Sequence, residues 1–355
     1  MYFAFSQVPR ILLLLLPLLL SSACTIEPSE SQQEQPAPEE GSLPLSVSLG
    51  DVSLNKTPFI IAREERLYSK YGLDVEIKLT SRAAGVVADS QVPVRPEFVG
   101  DIERPEIRIG GGTPTIVSRT TNVRSLDRVI LATTDPVVRW HIFAGPEIAS
   151  PEQLKGKRLG VSGYGAMTDF CARLFAIRMG WDPQLDISIM QQSLGVKYLQ
   201  EGRVDAFIAD EIAMAKAMSA GLEPLVDLGE WSVPIAGSGV VVERIWLQRP
   251  GNRDKALRFL KALVEAISLL KKDERYVFNV LEKWYGITDP EEKRRIYLSG
   301  NETMPRKPYP AVAGIEKTME IYDYHEMRQH KAEDFYDDSL IRELDESGFI
   351  DQFYP

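Results

Sequence analysis

From Leu43 onward, short runs of β-type apolar residues alternate with longer runs whose apolar positions recur three and four apart. Leu45 to Leu49 predicts a strand, Ser53 to Pro58 a loop, and Phe59 to Tyr71 a helix closed by Gly72. Val75 to Leu79 predicts a second strand, and a Pro-bearing stretch without clear period follows it. Ile107 to Gly110 predicts a third strand, and Gly110-Gly111-Gly112-Thr113-Pro114 turns into a helix over Thr115 to Asn122, Pro114 suiting a first helical turn.

Val129 to Thr133 and Val138 to Ala144 predict strands on either side of Thr134-Asp135-Pro136, a turn-type tripeptide that marks a first crossing between two lobes. Leu159 to Ser162, the loop Gly163 to Gly165 and a helix over Met167 to Met179 form a β-loop-α unit. Ile187 to Met190, Val196 to Glu201, Ala206 to Ala209 and Ile212 to Ala220 repeat the arrangement as strand, helix, strand, helix. A mainly parallel sheet with helices on both faces follows from this alternation. Val240 to Glu243 then returns the chain to the first lobe. The remainder is helical, with apolar stripes over Asp254 to Leu270, Tyr276 to Trp284 and Val312 to Tyr322 that read as core.

The N-terminus departs from this pattern. Arg10 precedes the apolar run Ile11 to Leu20, which is too short to span a bilayer and has the length of a signal-peptide core, and Ser21, Ser22 and Ala23 follow it. Cleavage after Ala23 places Cys24 first. The run from Thr25 to Gly41 is rich in Glu, Gln, Ser and Pro and has almost nothing to bury, so it reads as a solvated tether. The expected organisation is a signal peptide over 1–23, a tether over 24–42, one lobe over 43–135 with 240–355, and a second lobe over 136–239.

The chain has 355 residues and a formal net charge of -10, which argues against attraction to nucleic acid or an anionic membrane face. With Cys24 acylated, Cys171 is the one remaining cysteine, so no disulfide framework is available. Cys171 shares a helical stripe with Met167, Phe170, Leu174 and Phe175 and reads as a buried core thiol.

Chemistry-bearing motifs are sparse. Gly163-Tyr164-Gly165 lacks the third glycine of a dinucleotide fingerprint, and Lys155-Gly156-Lys157-Arg158 lacks the glycine and hydroxyl of a phosphate loop. His141, His325 and His330 show no metal-ligand spacing. Nothing therefore calls for a cofactor, a metal or a catalytic residue. A glycine-bearing turn before a helix does leave N–H groups free at a helix N-terminus, with Ser162, Tyr164 and Thr168 adding hydroxyls. Asp210 and Glu211 stand where the strand Ala206 to Ala209 ends, either as helix caps or at the sheet edge where ligands bind. Asp337-Asp338 before Ser339 reads as a helix cap.

Ser22-Ala23-Cys24 resembles the lipobox of bacterial lipoproteins, with Ser21 where a leucine is usual; ordinary signal cleavage with Cys24 unmodified is the alternative. Several further segments, in order, resemble the periplasmic binding proteins of sulfonate, taurine and nitrate transporters and of the thiamine-pyrimidine-precursor (NMT1/THI5-like) group. They are Pro58 to Ala62 with Leu73 to Glu76, Ile109 to Pro114, Leu154 to Val161, Gly202 to Phe207, and Asp334 to Ser339 with Ser347 to Asp351.

The resemblance implies a type II periplasmic-binding-protein fold: two α/β lobes around a ligand cleft. It implies a non-enzymatic, monomeric substrate-binding component of an ABC transporter, lipid-anchored in the periplasm or on the outer face of the cell membrane, that delivers a small organic solute to a permease. By position it places Asn55, Lys56, Gly112, Thr113, Ser162, Tyr164, Gly165, Thr168, Asp210, Glu211 and Trp231 at the ligand. Lys56 is expected to meet a carboxylate, Asp210 or Glu211 an amine or N–H group, and Tyr164 and Trp231 a planar surface. The pair Asp210-Glu211 departs from the small residues or prolines common there in relatives, which points away from a bare anion. The alternatives are a same-fold enzyme of pyrimidine or quinone-precursor metabolism and a solute-sensing subunit.

Overall fold

The strands of this chain sort into two five-stranded sheets, and the computed structural model describes them within residues 41–89, 94–122 and 125–354. The expected signal peptide, Cys24 and nearly all of the tether lie outside the described residues. Among the described residues no helix is long and apolar enough to cross a membrane, and no group of His, Cys, Asp and Glu is placed to hold a metal ion.

The chain begins with β1 (Leu43–Leu49), α1 (Thr57–Glu64), α2 (Leu67–Lys70) and β2 (Leu73–Leu79). The single helix expected over Phe59 to Tyr71 is thus two, because Arg66 adopts a left-handed φ of 54° between them. Gly72 closes the second at φ 71°. Next come α3 (Ser81–Asp89), in the stretch where no element is expected, β3 (Ile107–Gly111), α4 (Gly112–Thr121) and β4 (Arg128–Thr133).

The second sheet follows with β5 (His141–Ala144), β6 (Arg158–Gly160), α5 (Met167–Arg178), β7 (Ser188–Met190), α6 (Val196–Gln200), β8 (Ala206–Ala209), α7 (Glu211–Ser219) and β9 (Pro224–Asp227). The chain then enters β10 (Ser238–Glu243), α8 (Arg244–Leu247), α9 (Asn252–Lys272), α10 (Glu274–Tyr285), α11 (Pro290–Thr303), α12 (Val312–Ile321) and α13 (Ser339–Glu346). β9 and α11 are not expected from the pattern. α11 is largely polar and therefore shows no stripe, although its start carries the usual signs, Pro290 in the first turn and Asp289 Oδ1 accepting from the Glu292 amide at 2.7 Å. Of the expected caps before α13, Asp337 accepts from the Ser339 amide, whereas Asp338 pairs with Arg342.

The first sheet has the order β2-β1-β3-β10-β4 and the second β7-β6-β8-β5-β9. Each contains one strand antiparallel to its neighbours, β10 in the first and β5 in the second. These are the strands that the chain enters directly from the other sheet. A strand fed from the sheet edge must run inward from that edge, opposite to strands that end there. The two connecting segments lie side by side, joined by the Val137–Pro234 bridge and by hydrogen bonds from Thr134 N to Ser238 O (2.8 Å) and Ile235 N to Pro136 O (2.9 Å). Such close passage needs glycine: a Cβ on Gly237 would overlap the Asp135 carbonyl.

One face of the first sheet is apolar. Val47, Leu49, Ile107, Ile109, Val129, Leu131, Val240 and Val242 pack there with Phe59, Leu260, Leu263, Ile267, Val277 and Leu281 from α1, α9 and α10. The opposite face alternates into Ser46, Ser48, Arg108 and Arg128, and only Ile130 and Val241 join a buried cluster there. That second cluster gathers Ile116 and Val117 of α4, Phe170, Cys171 and Phe175 of α5, Ile315 of α12 and Tyr322 just after it. Cys171 is fully buried, and burial pushes its thiol well above the ordinary range.

Candidate functional site

A cavity of about 660 Å³ opens where the two sheets meet, within the range of roughly 300–1,000 Å³ usual for small-molecule sites. Its mouth is built from strand ends and loops of both sheets: Gly50, Asp51, Gly110, Gly111 and Ser238 on one side, and Ser162, Tyr164, Thr168 and Asp210 on the other. From there it continues between α3 and α4 along the polar face of the first sheet, reaching Ser48, Arg108, Ser118, Thr121 and Arg128.

Of the residues expected at the ligand, Ser162, Tyr164, Thr168 and Asp210 line the cavity. Thr168 Oγ1 accepts from the Ser162 amide and lies 2.9 Å from Ser162 Oγ, fixing the strand end against the first turn of α5. Gly165, at φ 72°, turns the loop and donates its N–H to Asp169 Oδ2 at 3.0 Å. It stands behind the wall. Tyr164 remains 53% exposed, with its ring edge-on to Tyr322 and the Arg173 guanidinium 5.3 Å from its centroid.

Gly112, Thr113, Asn55, Lys56, Glu211 and Trp231 do not line the cavity. The amides of Gly112 and Thr113 donate to Gly237 O (2.6 Å) and Ala236 O (2.8 Å), so the start of α4 spends these donors on the second connecting segment. Trp231 stacks on Phe175, with ring planes 5° apart, and lies under Arg178. Its indole belongs to the second core cluster.

Lys56 is buried completely. Its Nζ meets Asp51 Oδ2 at 3.0 Å and Asn55 Oδ1 at 2.8 Å and also donates to Ser238 Oγ. A lysine so enclosed is structural, because an ammonium removed from water must be paired where it lies. The charge it neutralises, Asp51, does face the cavity, with its side chain 47% exposed. Burial disfavours the ionised Asp51, but the Lys56 ammonium and the Ser53 hydroxyl and amide outweigh it and hold the carboxyl below its usual range.

Glu211 is likewise spoken for. Arg139 Nη1 sits 2.8 Å from Glu211 Oε1, and Arg139 Nη2 sits 2.9 Å from Asp135 Oδ1, while Asp135 Oδ2 accepts from Asn55 Nδ2 at 3.0 Å. The buried row Asn55, Asp135, Arg139, Glu211 thus ties the loop after β1, through the first connecting segment, to α7. Asp210 caps α7 through bonds from the Ile212 (3.1 Å) and Ala213 (2.8 Å) amides, and it also borders the cavity. Burial, then the neighbouring Glu211 charge, push its carboxyl up to about 7. The two readings of Asp210, cap and cavity wall, therefore coincide.

The sequence reading did not single out Asp51, Ser48, Arg108, Arg128 or Trp140, all of which line the cavity. One signal was present. Leu45, Val47 and Leu49 alternate with Ser46 and Ser48, and Ile107 and Ile109 alternate with Arg108 and Gly110. In a sheet covered by helices on both sides, both faces are ordinarily apolar. A polar second face marks a space beneath the helices.

No protein-family model matches the chain, and no curated protein matches it by sequence. Solved structures do. The periplasmic nitrate-binding protein NrtA from Synechocystis PCC 6803 superposes with a TM-score of 0.66 at 16% identity, over 88% of this chain and 91% of that one. A putative periplasmic sulfonate-binding protein, SsuA from Methylobacillus flagellatus KT, gives 0.60 at 13% identity, over 88% and 97%. The desulfurization enzyme DSZB gives 0.53 at 17% identity, over 85% and 99%. The chain therefore has the type II periplasmic-binding-protein fold expected from its sequence.

Proposed function

We propose that this chain is the extracytoplasmic substrate-binding component of an ABC transporter, holding a small organic solute between two lobes and presenting it to a permease. The observation that carries this reading is the cavity itself, walled from both sheets and adjoining the paired connecting segments at Thr134 to Val137 and Val233 to Ser238. Lobes of 43–135 with 240–355 and of 136–239 rotate about those segments, and closure is the state a permease reads. The nitrate- and sulfonate-binding neighbours support the general role, as the fold is used for solute capture in both.

Asp51 and Asp210 at the mouth favour a solute with a cationic or N–H-bearing group there. Cys24 carries the lipid anchor in this reading, and the monomer works at the outer face of a membrane. Replacing Cys24 by Ser then releases the protein from membranes; continued retention counts against the anchor.

The test of function is a thermal-shift screen of the full-length protein against amino acids, ω-amino acids, sulfonates, pyrimidines, polyamines and inorganic anions, with products assayed in parallel. A ligand at a hundredfold excess over its Kd adds about 2.7 kcal/mol to stability. A coherent class that raises the melting temperature without turnover supports transport. Turnover would move the chain to the catalytic use of this fold, which the desulfurization enzyme exemplifies. Binding without turnover, together with co-purification of a sensor kinase in place of a permease, would make it a sensing subunit.

A further inference from the structure

The arm of the cavity beneath α3 and α4 has a chemistry of its own. Arg108 and Arg128 both line it, both are part-buried, and neither forms an ion pair or side-chain hydrogen bond among the described residues. Arg128 Nε is wholly shielded from solvent without a hydrogen-bond partner. Burial and the neighbouring Arg128 charge depress the Arg108 guanidinium, and Glu243 opposes them. Two cations beside one carboxylate, with a buried donor unused, leave an uncompensated positive charge on the cavity wall. A protein tolerates that where an anion completes the site.

Geometry ties this arm to the mouth. Arg108 pairs in register with Ser48 on β1, and Asp51 lies three residues farther along the same chain at the cavity mouth. At the rise of an extended chain that separation is about 10 Å. Ser48, Ser118 and Thr121 supply hydroxyls along the arm, and Ala83, Val86, Val87 and Val241 supply apolar wall.

We propose that the arm is an anion subsite, and that the solute is an elongated dipolar molecule whose acidic end lies between Arg108 and Arg128 while its cationic end meets Asp51 and Asp210. This rests on the binding-protein reading and names the solute class for it. It also reassigns the anion contact expected of Lys56, which is consumed by Asp51, to a part of the fold outside the cleft between the sheets.

The probes are ω-aminooctanoate, which carries an ammonium and a carboxylate separated by about the right span, and the singly charged octylamine and octanoate. Calorimetry on the full-length protein should show ω-aminooctanoate binding at least tenfold tighter than either single-charge compound. Arg108→Gln and Arg128→Gln should each remove that advantage, Arg128→Lys should restore part of it, and octylamine affinity should stay within twofold throughout. Because each Gln variant relieves repulsion between like charges, melting temperatures at or above wild type are expected. Wild-type affinity for ω-aminooctanoate in both Gln variants would overturn the subsite while leaving solute capture intact. Failure of ω-aminooctanoate to bind, with another solute of the screen binding, would do the same. Failure of every solute would overturn both readings.

Discussion

Arg139 Nη1 lies 2.8 Å from Glu211 Oε1, and with Arg139 6% and Glu211 2% exposed this ion pair joins the first connecting segment to α7 out of contact with solvent. Asp135 holds the other edge of the guanidinium. Truncating one member of a buried pair leaves the other charge stranded, at a cost of about 3–5 kcal/mol. Glu211→Ala is therefore expected to lower stability by about 3 kcal/mol. Glu211→Gln should cost less, since its amide oxygen still accepts from Arg139 Nη1, and it should bind cavity ligands as wild type does. Calorimetry and urea unfolding read the two effects separately; a tenfold loss of affinity in Glu211→Gln would place the carboxylate in the site after all.

Asp210 gives stability a pH dependence of defined sign. In the folded protein its carboxyl keeps a proton up to about 7, against an ordinary value of 3.8. Between those values the folded state binds the extra proton, so Asp210 makes the protein less stable as pH rises through this window, with the full penalty above it. Asp51 is shifted downward and acts the other way: its contribution is present above 3.8 and lost as pH falls through its depressed value. Asp210→Asn keeps a side chain suited to the cap of α7. Urea unfolding from about pH 5 to pH 8 should show a falling profile in wild type that flattens in Asp210→Asn. Parallel profiles would mean that Asp210 is ionised throughout. In the same range, affinity for a cationic ligand should rise with pH in wild type as Asp210 loses its proton.

These residues mark where the sequence was legible and where it was not. Strands such as Ala206 to Ala209 are visible because periodicity is local, whereas the turn expected over Gly110 to Pro114 is absent, β3 running to Gly111 and α4 starting at Gly112. Asp210 could be placed because it follows a strand end directly. Lys56 and Glu211 were picked for their charge and position, yet whether a charge faces ligand depends on partners far away in sequence. Arg139 lies 72 positions before Glu211, and Ser238 lies 182 after Lys56. α3 escaped notice beside an irregular stretch, and with it the arm that it covers. The polar half of β1 and β3 was the one local trace of that space, and it is read as a solvated face unless the helices above it are known.

The connecting segments offer a test of how tightly they must pass. A Cβ at Gly237 would overlap the Asp135 carbonyl, and one at Gly314 of α12 would overlap the Ile235 backbone. Backbone atoms cannot yield as a flexible side chain does. Gly237→Ala and Gly314→Ala are each expected to cost about 1–3 kcal/mol, the usual range for overpacking. Gly180→Ala and Gly221→Ala meet no neighbouring atoms, and their left-handed φ values of 73° and 82° make them controls for backbone strain without a clash. Gly237 and Gly314 have no left-handed φ, so unchanged stability in Gly237→Ala and Gly314→Ala would show that the segments can part to admit the methyl group.

Tyr164 separates ligand contact from packing at the cavity mouth. Its ring is 53% exposed and touches Tyr322 only edge-on, at 6.0 Å between centroids, so little of the core depends on it. Aromatic contacts of this kind contribute about 0.5–1.5 kcal/mol beyond simple burial. Tyr164→Ala should thus weaken an identified ligand roughly three- to tenfold with a small change in melting temperature, and Tyr164→Phe should recover most of the affinity. The opposite pattern, a fall in melting temperature with affinity unchanged, would assign the ring to holding Arg173 and Tyr322 in place. Arg173 pairs with Asp169 at 3.1 Å, and Asp169 also receives the Gly165 amide and the Tyr322 hydroxyl. Loss of that packing would loosen the whole turn from Ser162 to Thr168, so its signature would be the lower melting temperature, with ligand affinity kept.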